Sequence, residues 1–159
     1  MECGNNEVNS KIQFLQQNVD RNPHKMHTCL EISLELKINY ILFQEPYIDM
    51  TTKATISHSA YYCIIPESEK IRSRVMIFAK KSSRFQFCQR LNIYPDTDIL
   101  IIDINDSANP NAEVIQLINV YNEKSLAKNN NEWTVKKSLK NIIPHSNIII
   151  CKDFNSHHS

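Results

Sequence analysis

Tyr40-Ile41-Leu42-Phe43-Gln44-Glu45-Pro46 is a short apolar run that ends in an amide, a carboxylate and a proline. Its apolar residues do not alternate with polar ones, which is the pattern of a strand buried on both faces. A strand over 39–44 is therefore predicted at the centre of a sheet, delivering Glu45 to its carboxyl end. Working upstream, Lys11 to Val19 alternates apolar and polar, with Ile12 and Phe14 inward, and reads as a strand that closes on Gln16-Gln17-Asn18-Val19. Between the two strands, Asn22-Pro23 supplies a cap and a first-turn proline for a helix. Met26, Cys29, Leu30, Ser33, Leu34 and Lys37 then recur at helical spacing, and Ile32 and Leu36 widen the apolar face. Strand, helix and strand in this order imply a parallel pair joined by a right-handed crossover.

Downstream, a Thr- and Ser-rich loop over 46–60 leads into a region of different character. Short strands are expected at 61–65, 73–79, 85–91, 98–104 and 113–121, separated by turn signals such as Pro66-Glu67-Ser68 and Asn105-Asp106-Ser107. This order reads as an antiparallel meander. A helix over 131–143, with Trp133 near its start, and a strand over 146–151 complete the pattern. Residues 1–10 are polar and expected to be a disordered extension. The rest, 11–159, reads as one domain with no internal repeat or linker.

The composition narrows the class. The 159 residues suit one domain, and 42% hydrophobic residues can build a core. A formal net charge of +1 argues against a broad electrostatic footprint for nucleic acid. A local basic groove remains available in Lys80-Lys81-Ser82-Ser83-Arg84 with Arg90, although a solvated turn is the plainer reading of that stretch. Five cysteines without a CxxC pair, and the lack of an apolar leader or membrane-length run, point to an intracellular chain, nuclear or cytoplasmic. Gly4 is the single glycine, while Ile, Asn and Lys make up about a third of the chain. Left-handed backbone positions that normally use glycine must then fall to Asn and Asp.

The chemistry gathers where apolar strands end in oxygen-bearing side chains. Glu45 is a candidate ligand for a hard divalent cation, which takes oxygen donors and often only one or two carboxylates. Asn18 can bind the same ion or orient Glu45. Asn147-Ile148-Ile149-Ile150-Cys151 leads to Asp153-Phe154-Asn155, whose carboxylate can orient or deprotonate water and whose amide can donate to charge developing on a phosphate. Tyr121, closing Ile118-Asn119-Val120-Tyr121-Asn122, can hydrogen-bond a phosphate oxygen. His157 and His158 are candidate ligands or acid/base groups, and flexible, solvent-exposed histidines are the plainer reading.

In this order, Gln16-Gln17-Asn18-Val19, Gln44-Glu45-Pro46-Tyr47, Arg74-Val75-Met76-Ile77-Phe78, Ile118-Asn119-Val120-Tyr121-Asn122 and Asp153-Phe154-Asn155-Ser156-His157-His158 resemble the endonuclease/exonuclease/phosphatase superfamily. More narrowly, the chain looks like the endonuclease domain of non-LTR retrotransposons. The resemblance implies an α/β fold: an incomplete four-layer α/β sandwich with mixed sheets and flanking helices, its closing part missing. It implies a Mg²⁺-dependent phosphodiester hydrolase (Mn²⁺ as substitute metal) that nicks DNA and works beside a reverse transcriptase domain. Carried over by position, Glu45 and Asn18 would hold the metal. Asp153, Asn155 and Tyr121 would be catalytic. Tyr121, Asn155 and His157 would contact substrate. Lys152 stands where the family has glycine. The alternatives are a non-catalytic nucleic-acid-binding or interaction remnant and a phosphoinositide-type phosphatase of the same superfamily.

Overall fold

A computed structural model of the protein describes residues 11–66, 72–90, 97–121 and 147–153. Along the chain these form β1 (Phe14–Asn18), α1 (Pro23–Glu35), β2 (Tyr40–Gln44), β3 (Tyr61–Ile64), β4 (Val75–Lys80), β5 (Phe85–Gln89), β6 (Ile99–Asp106), β7 (Ile115–Tyr121) and β8 (Ile148–Asp153). The extension over 1–10, the helix expected over 131–143, and Asn155, His157 and His158 lie outside the described residues.

The strands make two four-stranded sheets, ordered β1-β2-β4-β3 and β5-β6-β7-β8. In the first, β1 and β2 are parallel with Leu15 beside Ile41, and β4 runs antiparallel to both β2 and β3. In the second, β5, β6 and β7 alternate in direction, and β8 runs parallel to β7. The five middle strands therefore do not make one meander. β4 joins β2 in the first sheet, and the chain crosses to the second sheet through residues 81–84. Alternation fixes which face of a strand is inward, not which neighbour it finds, so both arrangements satisfy the same pattern.

Every residue of β2 is buried, as its unbroken apolar run predicts. Tyr40 and Leu42 face the other sheet and, with Val75 and Ile77 of their own sheet, pack in one cluster with Leu100, Ile102, Ile104 and Leu117 of the other. Ile41 and Phe43 face the other way and pack with Met76, Phe78, Met26 and Leu30 under α1. At about 1.5–3 kcal/mol for each large side chain taken out of water, these two layers supply the main stabilising term.

α1 begins where Asn22 accepts from the amides of His24 and Lys25 at 2.9 and 3.1 Å, with Pro23 in the first turn. Its buried seam, Met26, Leu30 and Ser33, is narrower than its apolar content suggests. Ile32 and Leu36 are 46% and 58% exposed, because each lies more than 90° around the helix from Leu30 at about 100° per residue. The helix ends with the Lys37 amide donating to the Leu34 carbonyl at 3.2 Å and the Ile38 amide to that of Ser33 at 2.9 Å. This is the Schellman pattern, in which the left-handed residue is usually glycine; here it is Lys37, at φ 59°. Positive φ also occurs at Asp20, Arg21, Glu45 and Lys53. Among the described residues of this glycine-poor chain, then, Asp takes one such position, and long charged residues rather than Asn take the others.

Two buried phenols give the fold an alkaline limit. Tyr40 donates to the Phe85 carbonyl at 2.9 Å and Tyr61 to that of Ile38 at 3.2 Å. Burial pushes the Tyr40 phenol above its ordinary range; burial, with Cys29 nearby, pushes Tyr61 up to about 12. An unfolded tyrosine ionises near pH 10, so this stability is whole below pH 10 and is lost as pH rises towards 12. The thermal midpoint, followed from pH 8 to 12, is expected to fall above pH 10, and less steeply in Tyr61→Phe.

Candidate active site

β1, β2, β7 and β8 all direct their carboxyl ends to one end of the sandwich. Beyond β1, the Val19 amide donates to the Gln44 carbonyl at 3.1 Å and the Arg21 amide to that of Glu45 at 2.8 Å. The Glu45 amide in turn donates to the Arg74 carbonyl at 2.9 Å. Glu45 is thus pinned on both sides in left-handed backbone at φ 47°. Such a conformation costs a non-glycine residue about 1–2 kcal/mol, and strain of this kind gathers at functional positions.

Three groups surround the Glu45 carboxylate. Asn18 Nδ2 stands 3.4 Å from Oε2, while the Arg21 guanidinium and the Tyr121 hydroxyl stand 3.5 and 3.4 Å from Oε1. All three contacts are long, and the carboxylate is 19% exposed, so its lone pairs are only loosely engaged. Asn18 Oδ1 accepts from the Asp20 amide at 2.9 Å. One carboxylate and one amide oxygen meet what Mg²⁺ asks of a protein, since that ion keeps several waters. No cluster of three or more His, Cys, Asp or Glu occurs among the described residues.

Tyr121 is held from behind. The Arg74 guanidinium lies over its ring, 4.9 Å from the centroid. Arg74 grips Asp98 through both carboxylate oxygens, Nε to Oδ1 at 2.6 Å, and the Asp98 carbonyl accepts from the Tyr121 amide at 2.9 Å. Arg74 opens one of the stretches that carry the resemblance, but the sequence alone assigns no role to it or to Asp98. The available signal is that each is a charged residue just before an apolar strand that runs antiparallel to a site-bearing one.

Beneath these residues lies a tier of amides. Asn119, fully buried, donates to the carbonyls of Phe43 and Met76 at 3.1 and 3.0 Å. Its Oδ1 accepts from Gln44 Nε2 at 2.7 Å. Gln16 Nε2 reaches Gln44 Oε1 at 3.3 Å and the Lys152 carbonyl at 3.0 Å. The tier therefore joins β1, β2, β7 and β8 across both sheets.

Of the residues singled out in the sequence, Asn18, Glu45 and Tyr121 are in mutual contact through the Glu45 carboxylate. Asp153 occupies the register position beside Tyr121 at the end of β8. Asn155 and His157 lie outside the described residues. The basic stretch at 80–84 is at the far end of β2 and β4 from Glu45, and Arg90 pairs with Asp103 at 2.6 Å, so this stretch does not border the site.

No protein-family model matches the chain, and no curated protein matches it by sequence. Among solved structures, the endonuclease domain of TRAS1, a telomere-specific non-LTR retrotransposon, superposes with a TM-score of 0.64 at 16% sequence identity over 90% of this chain. The fold is that of a non-LTR retrotransposon endonuclease domain. The chain spans 58% of the length of the TRAS1 domain. Two mixed sheets with few helices are the architecture expected of this endonuclease fold. Among the described residues no helix is long and apolar enough to cross a membrane.

Proposed function

We propose that this chain belongs to a Mg²⁺-dependent endonuclease that hydrolyses a phosphodiester bond of DNA, of the kind that opens a target for reverse transcription. The observation that carries this reading is the meeting of Asn18, Glu45 and Tyr121 at one end of a sandwich with the endonuclease fold, with Asp153 in register beside Tyr121. In this reading Glu45 and Asn18 hold the metal, which neutralises charge on the phosphate when bound. The Tyr121 hydroxyl, at 3.4 Å from Glu45, turns to a non-bridging phosphate oxygen once the carboxylate is engaged elsewhere. Arg74 keeps the phenol in place through its ring. Arg21 releases Glu45 and becomes available to the DNA backbone. Asp153 orients the attacking water or returns a proton to the leaving oxygen. Asn155 donates to the charge that develops on the phosphate, and His157 contacts substrate.

The direct test is conversion of supercoiled plasmid to open circles by the purified chain. Nicking with Mg²⁺ or Mn²⁺ that stops in EDTA is the expected result. Plasmid left intact, with release of phosphate from inositol phosphates instead, would assign the site to phosphatase chemistry.

A further inference from the structure

We infer that the protein carries a second phosphate-binding site, at the end of the sandwich opposite Glu45. A cavity of about 240 Å³ opens there, lined by Lys11, Lys37, Asn39, Lys80, Ser83 and Arg84 among others. Among the described residues that line it, four are cations and none is a carboxylate. Arg84 pairs with Asp106 at 3.0 Å. Lys11, Lys37 and Lys80 have no carboxylate partner among the described residues. With a formal net charge of only +1 on the whole chain, three ammonium groups without a described carboxylate partner around one cavity are a local concentration rather than a share of a general excess.

The floor of the cavity is rigid. Asn39 Oδ1 accepts from the Gln13 amide at 2.8 Å, and its Nδ2 donates to Ser83 Oγ at 3.1 Å. Ser83 Oγ also accepts from the Phe85 amide at 3.1 Å. With both bonds received, the Ser83 hydroxyl keeps its own proton without an acceptor among the described residues, although the residue is only 9% exposed. A buried donor ringed by lysines calls for a ligand with acceptors only. A phosphoryl group offers three or four oxygens to such an array, where a carboxylate offers two. The five residues of β2 separate this cavity from Glu45, a span of roughly 17 Å at strand rise, so one phosphate cannot serve both sites. The ligand is either the backbone of a nucleic acid strand or a free phosphate, and the site stands whether or not the chain is a nuclease.

The test uses the intact chain in EDTA and reads binding, not cleavage. Lys37→Gln with Lys80→Gln is compared with Lys25→Gln with Lys53→Gln, which removes the same charge elsewhere. For a labelled single-stranded oligonucleotide, the pocket pair is expected to lower the slope of log affinity against log salt by about 1.4, at about 0.7 per phosphate contact. The control pair is expected to leave the slope unchanged. A thermal shift with inorganic pyrophosphate that is present in the parent and lost in the pocket pair, without oligonucleotide discrimination, would identify a free phosphate as the ligand. Equal losses in the two pairs, or no difference between the pocket pair and the parent for either ligand, would overturn the site. Lys37→Gly, in place of Lys37→Gln, removes the charge while relieving left-handed backbone, so that lost binding cannot be ascribed to misfolding.

Discussion

Glu45→Gln is expected to abolish the response of the protein to Mg²⁺ and to lower plasmid nicking by at least about 100-fold, the upper range for disturbing a metal's supporting groups and a lower bound for losing a ligand. The substitution keeps the size of the side chain and an oxygen within reach of Asn18, Arg21 and Tyr121, and removes the charge that would hold a hard cation in the proposed site. Binding to the folded state alone stabilises by about 2.7 kcal/mol at a hundred times Kd. For a chain of this size that is a rise of roughly 5–10 °C in the thermal midpoint. The parent should show the rise and Glu45→Gln should not. A parent that melts cooperatively without any Mg²⁺ response would remove Glu45 from the metal site even if nicking were seen. Because Arg21 lies 3.5 Å from the carboxylate, Arg21→Met is the useful companion. It should leave Mg²⁺ binding intact or slightly tighter, since the metal then displaces no cation.

Asn119→Leu should be the most damaging single change away from the site. The two side chains are similar in size, but leucine leaves Gln44 Nε2 without its acceptor at 2.7 Å and strips a donor from the Phe43 and Met76 carbonyls. Each buried group left unsatisfied costs about 1–3 kcal/mol. Those carbonyls belong to residues paired across β2 and β4, and a carbonyl keeps a second lone pair for such a ladder. The expected total is therefore near the cost of one full loss, about 2–3 kcal/mol, or roughly 5–10 °C in midpoint. The mechanism has its own signature. In a Gln44→Leu background the same substitution should cost clearly less, because removing both partners of a buried hydrogen bond is milder than removing one. Additive losses in urea melts would mean that Asn119 acts through packing instead.

These two residues also mark what the sequence makes legible. Glu45 is readable because an unbroken apolar run ends on it, and burial on both faces makes that run central. The β1–α1–β2 unit is readable for the same local reasons: alternation, an Asn-Pro start and helical spacing. Asn119 sits in a stretch that draws attention, yet nothing local says that its amide will face Gln44 from the other sheet, 75 residues away. Arg74 and Asp98 likewise become partners only when β4 and β6 find their places, and the separation of β4 from β5 into different sheets follows from the same long-range choices. Local patterns report which face is inward. The partners across the core depend on register and sheet assignment, which alternation leaves open.

The amide tier beneath Glu45 has a consequence for how the molecule matures. Its bonds can all form only when β1, β2, β7 and β8 have met in one alignment, because Gln16, Gln44, Asn119 and the Lys152 carbonyl come from four different strands. A slip of one position in any of them turns an amide away from the core and exposes an apolar residue instead. Chains caught in such a slip would lack both the tier and the meeting of Asn18, Glu45 and Tyr121 above it. The arrangement works as an inspection step: a molecule whose strands are misaligned never assembles the groups around Glu45, and transplanting them to another scaffold would require bringing their foundation along.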